Sequence, residues 1–268
     1  MAPVACEPWE EELSATTPGA TPQRRSIFAD PAIPEPSVPG EAVLNLNVFT
    51  PVPGEESARL PVYVWIHGGG WISGSHNSPW YDGVSFNRDG VVTVTVAYRL
   101  GFDGYGWVEG SDAPFNRAEL DQVTALEWVR DNIAAFGGDP GNVTVGGQSA
   151  GGGNSILLLS VPRARGLFHR VISESGVVPD RDVETARGNA RALAAELGVE
   201  PSLAGFRTVG YDDIFAATKR LGGQPPTRST PDPVRSRRHA RPSRAWGRTW
   251  PSSPRLTARS SPRPSRRR

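Results

Sequence analysis

Val143-Thr144-Val145-Gly146-Gly147-Gln148-Ser149-Ala150-Gly151-Gly152 decides how the rest of the chain is read. Residues 143–146 suit a short strand, with β-branched residues closed by glycine. A buried helix is expected over residues 150–160, small at its start and then Ile156-Leu157-Leu158-Leu159. Between the two, Gly147-Gln148-Ser149-Ala150-Gly151 fits a Gly-x-Ser-x-Gly turn. Such a turn lifts the serine side chain above a sheet, and its small neighbours permit the strained backbone. The helix N-terminus brings backbone N–H groups and partial positive charge to the same place. A serine hydroxyl is a poor nucleophile at its free pKa, so it needs a general base and donors for the developing oxyanion. Glycine makes up 30 of the 268 residues, so the pentapeptide alone is a weak sign.

A second glycine run strengthens it. His67-Gly68-Gly69-Gly70 comes directly after the short apolar run 62–66. Loops of this composition supply the second oxyanion donor in lipases and esterases. Glycine there lets backbone amides approach a substrate carbonyl with no Cβ in the way. The spacing fits neither a Walker loop nor a dinucleotide fingerprint.

Working outward, strands are expected at 43–49, 62–66, 91–98, 143–146 and 170–173. The run Val-Val-Thr-Val-Thr-Val-Ala-Tyr at 91–98 carries the clearest pattern. A helix is expected over 117–136, because Leu120, Val123, Leu126, Val129 and Ile133 recur at helical spacing. Gly137-Gly138-Asp139-Pro140 should stop it. Residues 181–197 and 212–221 also read as helices, and residues 1–40 as an irregular surface segment. Strands alternating with helices predict an α/β fold with an open, mostly parallel central sheet.

Charge divides the chain. Residues 1–225 carry 16 basic against 27 acidic residues, net −11, while residues 226–268 carry 13 Arg and one Asp, net +12. Of the last 43 residues, 32 are Arg, Pro, Ser or Ala, and no period is visible. Such a segment cannot bury enough surface to offset its ordering entropy, so a disordered tail is expected over 226–268. Arg outnumbers Lys by 28 to 1, which suggests GC-rich coding, and an off-frame reading of such DNA has this composition. The tail is therefore read as an out-of-frame segment, set apart from a folded body over 1–225. Cys6 is the only cysteine, which excludes an intrachain disulfide and a Cys-based metal site. No cofactor and no metal are expected. Neither a signal-peptide pattern nor an apolar run of bilayer length is present, so a cytoplasmic chain with no membrane partner is expected.

Several ordered blocks resemble the type B carboxylesterases, the cholinesterase-like and para-nitrobenzyl-esterase-like α/β-hydrolases. They are Leu44-Asn45-Leu46-Asn47-Val48-Phe49-Thr50-Pro51, Pro61-Val62-Tyr63-Val64-Trp65-Ile66-His67-Gly68-Gly69-Gly70-Trp71 and Tyr98-Arg99-Leu100-Gly101. Asp121-Gln122, Phe136-Gly137-Gly138-Asp139-Pro140, the Ser149 block and Leu167-Phe168-His169-Arg170-Val171-Ile172-Ser173-Glu174-Ser175-Gly176 continue the match. The resemblance covers roughly residues 6–220. It implies an α/β-hydrolase sheet, incomplete at the C-terminal end and at the N-terminal end. It implies hydrolysis of a small-molecule carboxylic ester through an acyl-enzyme intermediate. Ser149 would be the nucleophile, the amides of Gly69, Gly70 and Ala150 the oxyanion hole, and Arg99 with Asp121 a structural ion pair.

The family's acid and histidine come after the nucleophile, beyond the matching region. Among the four histidines, His67 belongs to the oxyanion loop and His76 precedes the nucleophile. His169 suits packing and His239 lies in the tail. None is expected to be the general base. Such a chain is expected to be nearly inactive and poorly soluble, with only the acceleration that an oxyanion hole provides, on the order of 10³–10⁴ over water. Two other functions compete. One is a non-catalytic cholinesterase-like binding protein, against which the retained Ser149 argues. The other is charge-driven contact of the basic tail with nucleic acid, for which only Trp246 and Trp250 offer aromatics, so no specific nucleic-acid partner is expected. Trp71, Trp80, Tyr105 and Trp107 are candidates to line a substrate pocket.

Overall fold

The computed structural model describes residues 1–4, 15–22, 26 and 29–222. The tail at 226–268, with His239, Trp246 and Trp250, lies outside the described residues, as does Cys6. Among the described residues five strands form one sheet: β1 (Leu46–Phe49), β2 (Leu60–Ile66), β3 (Val92–Val96), β4 (Gly138–Gln148) and β5 (Arg170–Glu174). Their order is β1-β3-β2-β4-β5. Only β1 runs antiparallel to its neighbour; β3, β2, β4 and β5 pair in parallel. The helices are α1 (Val84–Arg88), α2 (Gly101–Tyr105), α3 (Arg117–Asn132), α4 (Ala150–Leu157), α5 (Val183–Leu197), α6 (Leu203–Phe206) and α7 (Tyr211–Gly222). The mostly parallel α/β sheet expected from the alternating pattern is what forms.

Parallel strands need crossovers, and helices on the crossovers cover the faces of the sheet. The centre of the sheet is accordingly buried on both faces, one of them aliphatic and the other carrying Tyr63, Thr93 and Thr95. All five residues of β3 are buried, and Val92, Val94 and Val96 share one core with Val62, Val64, Ile66, Val143 and Val145. Each such side chain contributes roughly 1.5–3 kcal/mol by leaving water. At the edges the pattern changes: every residue of β1 is half-buried, and four of the five in β5 are exposed.

Two boundaries differ from expectation for a physical reason. The helical stretch 117–136 is α-helical only to Asn132 and tightens to a 3-10 turn over Ile133–Phe136, ended by Gly137 at φ 78°. β4 begins at Gly138, not at Val143. Leu60 pairs with Gly138 and Val62 with Val143, so a bulge absorbs the residues around Pro140, which has no N–H to give. In α3 the inward stripe also departs from the apolar reading. Leu120 is only half-buried, whereas Glu119 and Gln122 face the interior beside Val123, Leu126 and Val129. The helix expected over 150–160 is α-helical to Leu157 and 3-10 over Leu158–Ser160. It is not buried throughout, since Leu159 is 64% exposed.

Strand order sets the place of a site. β3 follows β2 on one side, and the chain then passes β2 to lay β4 on its other side. The order reverses at β2 and β4, and the crevice at the carboxyl ends of such strands is where open α/β sheets bind ligands. Trp65 pairs with Gly146 and Ile66 with Gly147. The loop 67–70, which leaves β2 at Ile66, therefore lies beside Gln148, the last residue of β4, and Ser149 after it.

Candidate active site

Ser149 stands between β4 and α4 at φ 56°, ψ −119°. A non-glycine residue there is strained by roughly 1–3 kcal/mol and persists only where its surroundings over-determine it. Here they do. Its N–H donates to the Glu174 carbonyl at the end of β5 (2.8 Å), and its carbonyl accepts the N–H of Gly153 (2.9 Å). The flanking glycines are steric necessities. A Cβ on Gly147 would lie 2.5 Å from the Ile66 carbonyl oxygen and the Gly151 carbonyl carbon, and one on Gly151 would overlap the Ile66 carbonyl. The elbow is pressed against β2, and only hydrogen fits between them.

The glycine loop passes against the serine. A Cβ on Gly68 would lie 2.8 Å from the Gln148 carbonyl and 3.4 Å from Ser149 Cβ. Gly69 (φ 117°) and Gly70 (φ 63°) take left-handed backbone, which leaves their amides unencumbered. Neither N–H donates to any described residue. Ala150 opens α4, and the first N–H groups of a helix have no intrahelical acceptor. The loop that carries Gly69 and Gly70 and the turn that carries Ser149 and Ala150 thus leave the adjacent strands β2 and β4. No hydrogen bond links the Ser149 hydroxyl to another described residue.

Two buried aromatic rings hold the loop. Tyr98, two residues past β3, stacks on His67 at 4.5 Å and donates its hydroxyl to the His67 carbonyl (2.7 Å). His67 Nδ1 faces the Gly68 carbonyl at 2.8 Å. Because a carbonyl only accepts, Nδ1 carries the proton. Burial holds the His67 ring neutral, down to about 4, and His76 lower still, to about 3, with the nearby His67 adding to the effect. His76 Nε2 is occupied by the Asn45 amide oxygen at 2.8 Å. His169 exchanges hydrogen bonds with the Val143 backbone, midway along β4. Six residues separate Val143 from Ser149, about 20 Å at about 3.3 Å per residue. None of these three histidines is placed as a base for Ser149.

The Arg99–Asp121 pair forms as expected. Arg99 Nη2 and Nε reach the carboxylate at 2.6 and 2.8 Å, the Arg99 amide donates to it at 3.0 Å, and the Asp121 side chain is fully buried. Of the four candidate pocket aromatics, the fold brings Trp71 and Tyr105 towards the elbow helix. The Trp71 indole N–H donates to Asn154 Oδ1 (2.8 Å), and Asn154 Nδ2 donates to the Tyr105 hydroxyl (3.0 Å). Trp80 is largely exposed on a 3-10 turn, and Trp107 stacks on Phe115 beneath the Arg187 guanidinium. Asn154 and Glu119 are polar interior residues that pattern reading missed. The visible signal was a lone amide within the small and apolar run 150–159.

Among the described residues no helix is long and apolar enough to cross a membrane, and no group of three or more His, Cys, Asp or Glu is arranged to hold a metal ion. Residues 1–231 match the model of the carboxylesterase family. Para-nitrobenzyl esterase of Bacillus subtilis is 40% identical over 224 residues, covering 82% of this chain and 45% of that protein. The medium-chain fatty acyl-CoA hydrolase precursor of Anas platyrhynchos is 49% identical over 164 residues, 60% of this chain and 29% of that one. Among solved structures, an esterase from Clostridium hathewayi that can hydrolyze aliphatic aromatic polyesters superposes with a TM-score of 0.71 at 38% identity, covering 82% of this chain and 47% of its own. The chain thus spans less than half the length of these relatives. With the elbow, the glycine loop and the sheet that joins them in place, the chain belongs to the carboxylesterase family.

Proposed function

We propose that this protein hydrolyses carboxylic esters, with Ser149 as the nucleophile and the amides of Gly69, Gly70 and Ala150 as the oxyanion hole. The observation that carries the reading is the strained Ser149 elbow lying against a glycine loop whose amides are unused. In the reaction Ser149 Oγ forms a bond to the acyl carbon, and the carbonyl oxygen takes up negative charge facing the three N–H groups. The alkoxide or phenoxide then leaves, and water releases the acyl group. The described residues supply no base for the Ser149 proton, so in the test below imidazole takes it. The substrate class is a small-molecule ester, in keeping with the esterases it resembles. Residues 1–225 as the hydrolase body, 226–268 as a separate tail, and a cytoplasmic place of action are parts of the same proposal.

The test supplies the base from solution. The full chain is mixed with p-nitrophenyl acetate in the presence of imidazole. A burst of p-nitrophenolate and an acetyl adduct on the Ser149 peptide are expected, both absent from Ser149→Ala. Adducts elsewhere with none on Ser149 refute the proposal.

A further inference from the structure

The loop half and the elbow half of the oxyanion hole belong to different parts of the chain. The elbow half is the start of a packed helix. The loop half is Gly68-Gly69-Gly70, which has no side chains with which to hold itself. Trp71 comes next at φ 63°, a left-handed conformation that costs a bulky L-residue roughly 1–2 kcal/mol. Something must hold it there. Its carbonyl accepts the Gly101 N–H at 2.7 Å, and its ring lies over Gly153, where an added Cβ would come within 3.4 Å of Cζ2. Its indole N–H ends on Asn154 Oδ1 at 2.8 Å.

Asn154 is fully buried and lies on α4, the helix that Ser149 caps. A buried amide can turn over and present its nitrogen to Trp71, which would leave two donors facing each other. The Trp71 indole, a donor only, sets the orientation by requiring Oδ1, and the Tyr105 hydroxyl then accepts from Nδ2 at 3.0 Å. The amide thus joins three separate segments: the glycine loop through Trp71, the elbow helix, and α2 through Tyr105. A hydrogen bond left unmade at a buried site costs more than the bond itself contributes, so the arrangement holds as a unit.

We infer that Asn154 is a positioning residue for ester hydrolysis, fastening the glycine loop to the elbow helix through Trp71 so that both sets of oxyanion amides meet one oxygen. This rests on the proposed role of Ser149. The physical need is distance. Oxyanion donors act at about 2.7–3.1 Å, and a displacement of about 1 Å costs on the order of 100-fold. A glycine run cannot keep that tolerance by itself.

The experiment uses the full chain, p-nitrophenyl acetate and imidazole, and tracks acetylation of Ser149 against ester concentration. In Asn154→Ala the maximal acylation rate should fall about 10- to 100-fold, while the half-saturating ester concentration stays within about twofold, because ground-state binding does not use the oxyanion amides. Trp71→Phe keeps a ring but removes the N–H, and should lose a similar factor. The double variant should lose no more than either single one, because both remove one link. Hydrogen exchange at Ile72 and Ser73, whose N–H groups donate to the Gly69 carbonyl, should quicken in both variants, a readout independent of chemistry.

Multiplying losses in the double variant, or unchanged acylation and exchange in Asn154→Ala, would overturn the inference while the role of Ser149 stands. Absence of Ser149 acetylation in the unaltered chain would overturn that role, and the inference with it.

Discussion

Glu119 offers a quantitative test of the interior. It lies in the first turn of α3, only 6% exposed, and its Oε2 is buried without a hydrogen-bond partner. Burial pushes its carboxyl from 4.5 up to about 7; its own backbone N–H works against that, and neighbouring Asp121 adds to it. A helix N-terminus favours an anion, but that effect is typically below 1 kcal/mol at a surface. Desolvation therefore wins. The gap between 4.5 and about 7, at about 1.36 kcal/mol per pH unit, amounts to about 3 kcal/mol. Between those values the folded chain holds a proton that the unfolded chain has released. The stability this contributes is fully present below pH 4.5 and is lost as pH rises through 7. Glu119→Gln keeps the shape and removes the charge. Its advantage over the unaltered chain should therefore grow by about 3 kcal/mol between pH 4.5 and pH 8. In thermal unfolding that is roughly 6–12 °C for a domain of this size. Paired melts or urea titrations at both pH values decide it. An advantage that is the same at pH 4.5 and pH 8 refutes the argument that burial keeps Glu119 neutral.

His67 and His76 give the opposite sign. Both rings are held neutral by burial, with values near 4 and 3, so stability is present above pH 6.5 and falls as pH drops towards 4. Measured in the Glu119→Gln background, the slope should be up to about 1.4 kcal/mol per pH unit for each ring, and His76→Gln should remove one ring's share. A flat profile from 6.5 to 4 would contradict the assignment. Gly151→Ala should abolish Ser149 acetylation and destabilise by about 1–3 kcal/mol, because its Cβ meets the Ile66 carbonyl. Gly188→Ala, mid-α5 with open space around its Cβ, should stabilise by roughly 0.5–1 kcal/mol; calorimetry on the pair tests whether crowding or propensity governs each site. Asp121→Ala removes the buried partner of Arg99 and should cost about 3 kcal/mol in urea unfolding, and a loss below about 1 kcal/mol would show that the partly exposed guanidinium is satisfied by water.

Much of the fold and site was legible because its signals are local. Strand 92–96 is a β-branched run buried on both faces, and α5 begins where Asp182 caps Thr185 and ends at Gly198 in left-handed backbone. The Ser149 turn and the glycine run each need glycine for reasons confined to a few residues, so motif and conformation coincide. Boundaries were less legible. Leu60 pairs with Gly138 across a bulge, and nothing near Pro140 indicates that β4 begins before it.

What the amino-acid order determined by itself was the set of parts: a serine that must take an unfavourable φ, a loop stripped of side chains, and strands that end just before both. Only the tertiary structure decided that these parts meet. The crossing of β2 between β3 and β4 sets the loop beside the serine, which no periodicity along the chain encodes. It also decided which polar groups are interior. Glu119 and Asn154 read as ordinary helix residues until packing removes their water. Burial and hydrogen bonding across distant segments then make one a buried acid and the other a link between loop and helix, because desolvation depends on every neighbour and sequence spacing records only the nearest.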